Sequence, residues 1–286
     1  MINKIKNKLI NASENDKIVY KNVAGAFVVK GGALVVSLYT LPSYIAFFRD
    51  DVVLGVWFTI LSLLNWILNF DLGIGNGLRN HLSYSLSAGN RDDTKKYVSS
   101  AYFSIGGIGL ILACVFPFVI HAIDLNELLR IESETVSAQS LQTAMIIVII
   151  GVLIQFWVKL INSVLYALQK SSVNNLLVLF TNIIILLSAR FLPSRTNDEN
   201  IIVMAVVHAV AVALPLITAT VVVFSGKLRY ALPSFNYVSK EHVKQVLSLG
   251  GVFFFIQLAY MVIMSTNEFL ITRTSGNSYN VDYQAY

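Results

Sequence analysis

Gln155, Lys159, Asn162 and Tyr166 recur at i, i+4, i+7 and i+11 inside a long apolar run, and so draw one polar stripe down a helix. Lys159 lies about 16 Å along that helix from Lys170, at about 1.5 Å of rise per residue, near the middle of a membrane span. A charged side chain at mid-bilayer costs roughly 2.5–3.5 kcal/mol on insertion scales, so its presence demands a specific environment. A stripe of this kind faces a bundle interior or a watery cavity rather than lipid. There an ammonium forms part of a cationic wall for an anionic ligand. The structural alternative is a lysine hydrogen-bonded between helices.

Other polar groups sit in apolar runs. Lys30 heads a stripe of small and polar residues, Ala33, Ser37, Thr40 and Tyr44, which fits a cavity or a close helix contact. Its place nearer the membrane boundary equally allows it to snorkel. Ser62, Asn65 and Asn69 share one face of the next run, where interhelical hydrogen bonding is the plainer account and substrate contact the other. His208 is a lone histidine on an apolar helix, either a satisfied core residue or a proton relay. Gln257, Met261, Met264 and Glu268 share a face of the last run. Glu268 is the only acid well inside an apolar stretch, so it either exchanges a proton during a transport cycle or pairs with Arg273 at the rim. His208 and Glu268 are therefore the candidates for ion coupling.

These groups need helices to hold them. The chain has 286 residues, 56% hydrophobic and 13% charged, with mean hydropathy +0.67. Typical soluble domains carry roughly 25% charged residues. Apolar stretches of about 20 residues recur between short polar segments, the pattern of an all-α polytopic membrane protein. Seven complete spans are expected, over 23–48, 52–70, 98–120, 141–168, 173–192, 201–224 and 246–271. The tight turn Arg49-Asp50-Asp51 makes the first two a hairpin. After Gly276 the chain begins what reads as an eighth span and stops at Tyr286.

The domain division follows: a basic N-terminal segment 1–22, a six-helix bundle 23–225, a basic linker 226–245 and the start of a second bundle over 246–286. The first segment reads as a short amphipathic helix on the membrane face or as a disordered basic tail. The linker enters span seven much as 1–22 enters span one, a loose internal repeat of the kind that relates two bundles. The first apolar run follows about 20 polar residues and is too long for a signal-peptide core, so no cleavage is expected.

The net charge of +5 and pI near 9.2 do not imply nucleic acid, because the cations are sided. Fourteen Lys and Arg fall in one set of loops and five in the other, which places the N-terminus in the cytoplasm. The opposite loops carry Asp124, Glu127, Glu132, Glu134, Asp198 and Glu199. Cys114 is the single cysteine, which excludes a disulfide or a cysteine metal site within the chain. The sequence carries no P-loop, no HExxH and no Ser-His-Asp candidates, so no enzyme activity, cofactor or metal is expected.

Between spans two and three runs Asn69-Phe70-Asp71-Leu72-Gly73-Ile74-Gly75-Asn76-Gly77-Leu78-Arg79-Asn80. Its glycines Gly73, Gly75 and Gly77 let a helix break and the chain turn along the membrane surface. Asp71 is placed to cap the next helix. The stretch reads as a hinge and gate at a cavity mouth, with Arg79 the residue positioned to touch phosphate. It resembles the segment after the second span in polysaccharide flippases of the O-antigen (Wzx) type. The continuation from Ser87-Ala88-Gly89-Asn90 to Lys95-Lys96-Tyr97 is similar to that family's first large cytoplasmic loop. Ser265-Thr266-Asn267-Glu268-Phe269-Leu270-Ile271-Thr272-Arg273 is similar to the end of its seventh span, where many members carry an aspartate near the position of Asn267 or Glu268.

The resemblance implies the multidrug/oligosaccharidyl-lipid/polysaccharide (MOP) exporter superfamily, whose members have 12–14 spans in two bundles; this chain then reads as a truncated MOP-type helical bundle. It implies a job, moving an undecaprenyl-diphosphate-linked oligosaccharide across the bacterial inner membrane by alternating access. It implies partners: the lipid-linked oligosaccharide, the bilayer, and polysaccharide polymerase and chain-length machinery. A cavity lined by Lys30, Lys159 and Arg79, with Gln155, Asn162, Asn65 and Asn69 as polar contacts, would offset the diphosphate charge. The rival readings are a cation-coupled drug or small-solute exporter of the same superfamily and a non-transporting membrane scaffold for polysaccharide assembly.

Overall fold

Long apolar runs with polar punctuation become helices that end where the punctuation supplies caps. The structure, a computed structural model, describes residues 14–69, 73–129 and 135–275, with side chains described for all of these except 14–24, 26, 65, 66, 69, 129 and 261–275. Within them the elements are α1 Glu14–Phe48, α2 Asp51–Asn69, α3 Ile74–Ser87, α4 Arg91–His121, α5 Leu125–Leu129, α6 Ala138–Val158, α7 Leu160–Ala167, α8 Ser171–Phe191 and α9 Asn197–Ser225. Two 3₁₀ turns, Arg229–Ala231 and Phe235–Tyr237, then lead to α10, Lys240–Ser275.

Among the described residues six helical stretches are long and apolar enough to cross a membrane: Phe27–Phe48, Arg91–His121, Ala138–Ala167, Ser171–Phe191, Asn197–Ser225 and Lys240–Tyr260. Asp51–Leu64 is a shorter apolar helix at the place of the second expected span. Their outward faces expose large apolar side chains, including Phe27, Val28 and Leu38 on α1, Leu110 and Phe118 on α4, and Val222 on α9. In water such a surface would be a liability; in a bilayer it is the lipid-facing surface. The chain is an all-α, multi-pass membrane protein.

The helix ends have identifiable causes. Asp50 caps α2, its Oδ1 accepting from the amides of Val52 (2.9 Å) and Val53 (3.2 Å). Asp50 Oδ2 also accepts from Asn197 Nδ2 at 3.1 Å, which ties the α1–α2 turn to the start of α9. These donors hold the Asp50 carboxyl below the usual carboxylate range, the Val53 amide contributing most. Ser137 and Thr196 cap α6 and α9 in the same way, and Asp198 accepts the Ser137 amide at 2.8 Å. α3 begins differently. Its cap is Gly73 at φ 66°, with no side-chain hydrogen bond, and the expected capping residue Asp71 lies outside the described residues.

Helix pairing runs α6 with α9, α1 with α8, α4 with α6, α3 with α7 and α10 with α3. Small residues permit the closest approach. A Cβ on Gly151 of α6 would lie 2.7 Å from the Cβ of Ala209 on α9. Two apolar cores result. One gathers Phe48, Trp57, Ile60, Leu141, Ile201 and Met204 at the end that holds the α1–α2 turn. The other gathers Leu78, Leu82, Tyr102, Ile161, Leu165 and Phe224 at the α3 end. α4, α6 and α9 contribute to both cores, each by opposite ends.

The segment 226–245, expected as a linker, is held against α4. The buried Ser99 and Ser100 of α4 accept the amides of Ser234 (3.0 Å) and Ser239 (3.1 Å). Lys95 lies over the Tyr237 ring at 3.9 Å, and Arg91 over the Tyr230 ring at 5.1 Å. Tyr97 stacks on His81 and meets His242 edge-on, while Ser239 and Asp93 flank the His242 ring at 3.0 and 3.5 Å.

Candidate functional site

Between the two apolar cores the helices separate and leave two cavities that share a wall. The wall is a break in the fourth span. α6 ends at Val158 and α7 begins at Leu160, with Lys159 between them. The Lys159 amide still donates to Gln155 O at 2.8 Å, but the next turn tightens, Asn162 N reaching Lys159 O at 2.9 Å. Such a tightened turn alters the angle at which neighbouring side chains leave the helix. Lys159 and Asn162 line both cavities.

The first cavity, about 400 Å³, lies between α2, α3, α4 and the α6–α7 pair. Its walls are apolar, including Ile108, Leu112, Phe116, Leu153 and Phe156. Its polar groups are few: Asn76, Arg79, Lys159, Asn162, Ser163 and Tyr166. The Arg79 guanidinium sits 4.8 Å from the centre of the Tyr166 ring, a cation–π contact that holds it one helix away from the Lys159 break. Neither Arg79 nor Lys159 forms an ion pair among the described residues. An apolar hollow of this size with convergent polar groups has the form of a small-ligand site.

The second cavity, about 600 Å³, lies inside the bundle between α1, α2, α8, α9 and the α6–α7 pair. Gln155, Lys159, Asn162, Asn174, Thr181, Asn182 and His208 supply its polar lining, with Ser37, Thr40 and Tyr44 from α1. His208 meets the Trp57 ring edge-on at 6.0 Å.

The sequence-derived positions distribute unevenly over this geometry. Lys159, Asn162, Gln155, Arg79 and His208 all line one cavity or both. Lys30 does not. It lies exposed on α1, and the cavity-lining part of its stripe starts only at Ser37, about 10 Å further along the helix. The cationic wall is therefore Arg79 with Lys159. Gly75 lines the first cavity, whereas Gly73 and Gly77 are packed against α10. A Cβ on Gly77 would lie 2.3 Å from Val246 O, and one on Gly73 1.9 Å from Gly250 O. Gly73 and Gly77 thus set a helix crossing; Gly73 alone stands at a helix end, and Gly75 and Gly77 lie within α3 rather than breaking it as expected. Asp71 falls outside the described residues, as do the side chains of Asn65, Asn69 and Glu268.

Sequence reasoning passed over Asn174, Thr181 and Asn182, although Asn174 and Thr181 stand at i and i+7 on one apolar helix, the same signal that singled out Lys159. Asn76 and Ser163 carried no such signal, since each becomes a cavity residue only through the packing of α3 on α7.

No protein-family model matches the chain, and no curated protein matches it. A solved structure does: a MOP superfamily transporter from Pyrococcus furiosus Vc1 (DSM3638), described as having a binding pocket of reverse polarity that suggests a different function. The likeness has a TM-score of 0.67 at 13% sequence identity, and covers 97% of this chain and 60% of that one. The chain therefore spans about 60% of the length of the transporter it resembles. By this likeness the chain has the fold of a MOP superfamily transporter.

Proposed function

We propose that the chain carries an anionic, lipid-linked oligosaccharide across the bacterial inner membrane, its first bundle supplying the anion-binding wall. The observation that carries the reading is the convergence of Arg79 and Lys159, both without carboxylate partners among the described residues, on one apolar-walled cavity. Cations held in a low-dielectric hollow attract a diphosphate far more strongly than they would in water, and they oppose binding of a drug cation. The cargo fits undecaprenyl diphosphate bearing an O-antigen-like repeat unit: sugars and diphosphate need shelter, while the polyprenyl tail stays in lipid.

In this reading the N-terminus is cytoplasmic, and α10 opens a second bundle that rocks against the first to expose the cavity to each side in turn. An ion gradient, with His208 and Glu268 as the candidate coupling groups, drives the cycle. Polymerase and chain-length proteins take the product. The cation-coupled exporter is disfavoured because the described lining of both cavities holds no carboxylate to bind a cation. The scaffold is disfavoured because it needs no charged interior.

The test is complementation of a flippase-deficient strain with the full-length protein and its Arg79→Ala and Lys159→Ala variants. Each variant is expected to lower surface polysaccharide at least tenfold at matched expression. Unchanged polysaccharide in both would end the proposal.

A further inference from the structure

The second cavity differs in chemistry from the first. Its polar wall is made of amides and hydroxyls rather than of paired cations. Asn174 is only 5% exposed and spends its Nδ2 on the carbonyl of Asn162 at 3.3 Å. Its Oδ1, the Oδ1 of Asn162 and the Nδ1 of His208 are buried without a hydrogen-bond partner. Ser37 and Thr40 donate their hydroxyls to carbonyls of their own helix, Leu34 O and Val36 O, and so have only lone pairs left to offer. Buried polar atoms are rarely left unmet, and the two amide oxygens can only accept, so this part of the wall is built to receive donors.

The nature of the donor follows by charge. A metal or organic cation would face the Lys159 ammonium with no carboxylate among the described lining residues to offset it. An anion would be set beside the unpartnered Oδ1 atoms of Asn162 and Asn174 without the second cation, since Arg79 lines only the first cavity. An uncharged polyhydroxylated group meets neither obstacle, because each hydroxyl donates to an amide oxygen and accepts from an amide N–H or the ammonium.

We infer that the second cavity is a binding chamber for an uncharged sugar unit, separate from the anion site and joined to it at Lys159 and Asn162. The inference rests on the transport reading for taking sugar and anion as parts of one cargo. The sugar chamber lies inside the bundle, and the anion site on the α3–α4 side of the same broken helix.

Two probes separate the chambers, with the full-length protein in nanodiscs free of sugar lipids and detergents. N-acetylglucosamine is followed by saturation-transfer NMR, and inorganic pyrophosphate by titration. Asn174→Leu and the pair Asn182→Leu with Thr181→Val are expected to lower the sugar signal at least fivefold while pyrophosphate still binds. Arg79→Ala is expected to weaken pyrophosphate at least tenfold and keep the sugar signal. The Asn182 and Thr181 variants keep the Asn174–Asn162 bond, so they report on the chamber even where Asn174→Leu misfolds. Pyrophosphate binding without any sugar signal, or a sugar signal indifferent to the Asn182 and Thr181 changes, would overturn the sugar chamber alone. Failure of both probes to bind would overturn it together with the transport reading.

Discussion

Replacing Gly73 by alanine tests the contact between α3 and α10, and Gly89 supplies its control. Both glycines stand at φ 66°, so alanine at either pays the left-handed penalty of about 1–2 kcal/mol. Their surroundings differ. A Cβ on Gly89 meets nothing within 4 Å, whereas one on Gly73 would lie 1.9 Å from Gly250 O. Ordinary contact begins near 3.4 Å, so the two backbones must part by about 1.5 Å. Overpacking of this kind costs about 1–3 kcal/mol on top of the backbone strain.

Gly73→Ala should therefore destabilise by about 2–5 kcal/mol and Gly89→Ala by about 1–2 kcal/mol. At about 2–4 °C per kcal/mol, thermal unfolding of the purified protein should place Gly73→Ala about 2–12 °C below Gly89→Ala. Gly77→Ala carries no left-handed strain but meets Val246 O at 2.3 Å, and should lose about 1–3 kcal/mol. If Gly73→Ala and Gly89→Ala melt together, α3 and α10 are not packed as described, and the assignment of these glycines to a helix crossing is wrong.

Three further outcomes are expected. Lys30→Ala should leave surface polysaccharide within twofold of wild type where Lys159→Ala abolishes it, because Lys30 lies outside both cavities; equal loss in the two would return Lys30 to the site. Asp50→Asn should lower stability at neutral pH, and the difference from wild type should shrink on acidification. A carboxyl held below its ordinary value of 3.8 contributes stability that is present above that value and lost as pH falls through its folded value. Melting curves from pH 6 to 3 decide this, and a difference that grows toward low pH would contradict the cap. Ser100→Val should destabilise by about 1–3 kcal/mol by leaving the Ser239 amide without its acceptor, read as faster proteolysis within 226–245. Cleavage at the wild-type rate would mean that the segment does not depend on α4.

Much of the fold was written in the chain. Apolar runs with polar punctuation become helices because, without water, a backbone can satisfy its own N–H and C=O groups only by coiling within the segment. Among the described residues six such stretches are long enough to cross a membrane, the second run gives a shorter helix, and the fourth is broken in two. The turn at Arg49-Asp50-Asp51 was legible from residue type, and its acid turned out to cap α2. The stripe of Gln155, Lys159, Asn162 and Tyr166 was legible because helical period brings those positions to one face. Its break at Lys159 was not, since no glycine or proline marks it. The link from 226–245 back to α4 was also hidden, because hydrogen bonds between Ser234 and Ser99 span 135 positions and leave no local pattern.

The sequence by itself therefore determined that this protein lives in a membrane, where its long apolar helices fall, and that Lys159 needs a polar surrounding there. Those are properties of single segments, decided by hydropathy and period. Only the tertiary structure decided which cations share a cavity. It brought Arg79 to Lys159 through the packing of α3 on α7, left Lys30 outside, and gathered Asn174, Asn182 and His208 into a second chamber. Periodicity says which face of a helix is polar, but not which other helix that face meets. That choice is made by close packing at Gly73, Gly77 and Gly151, where a missing side chain lets one backbone touch another.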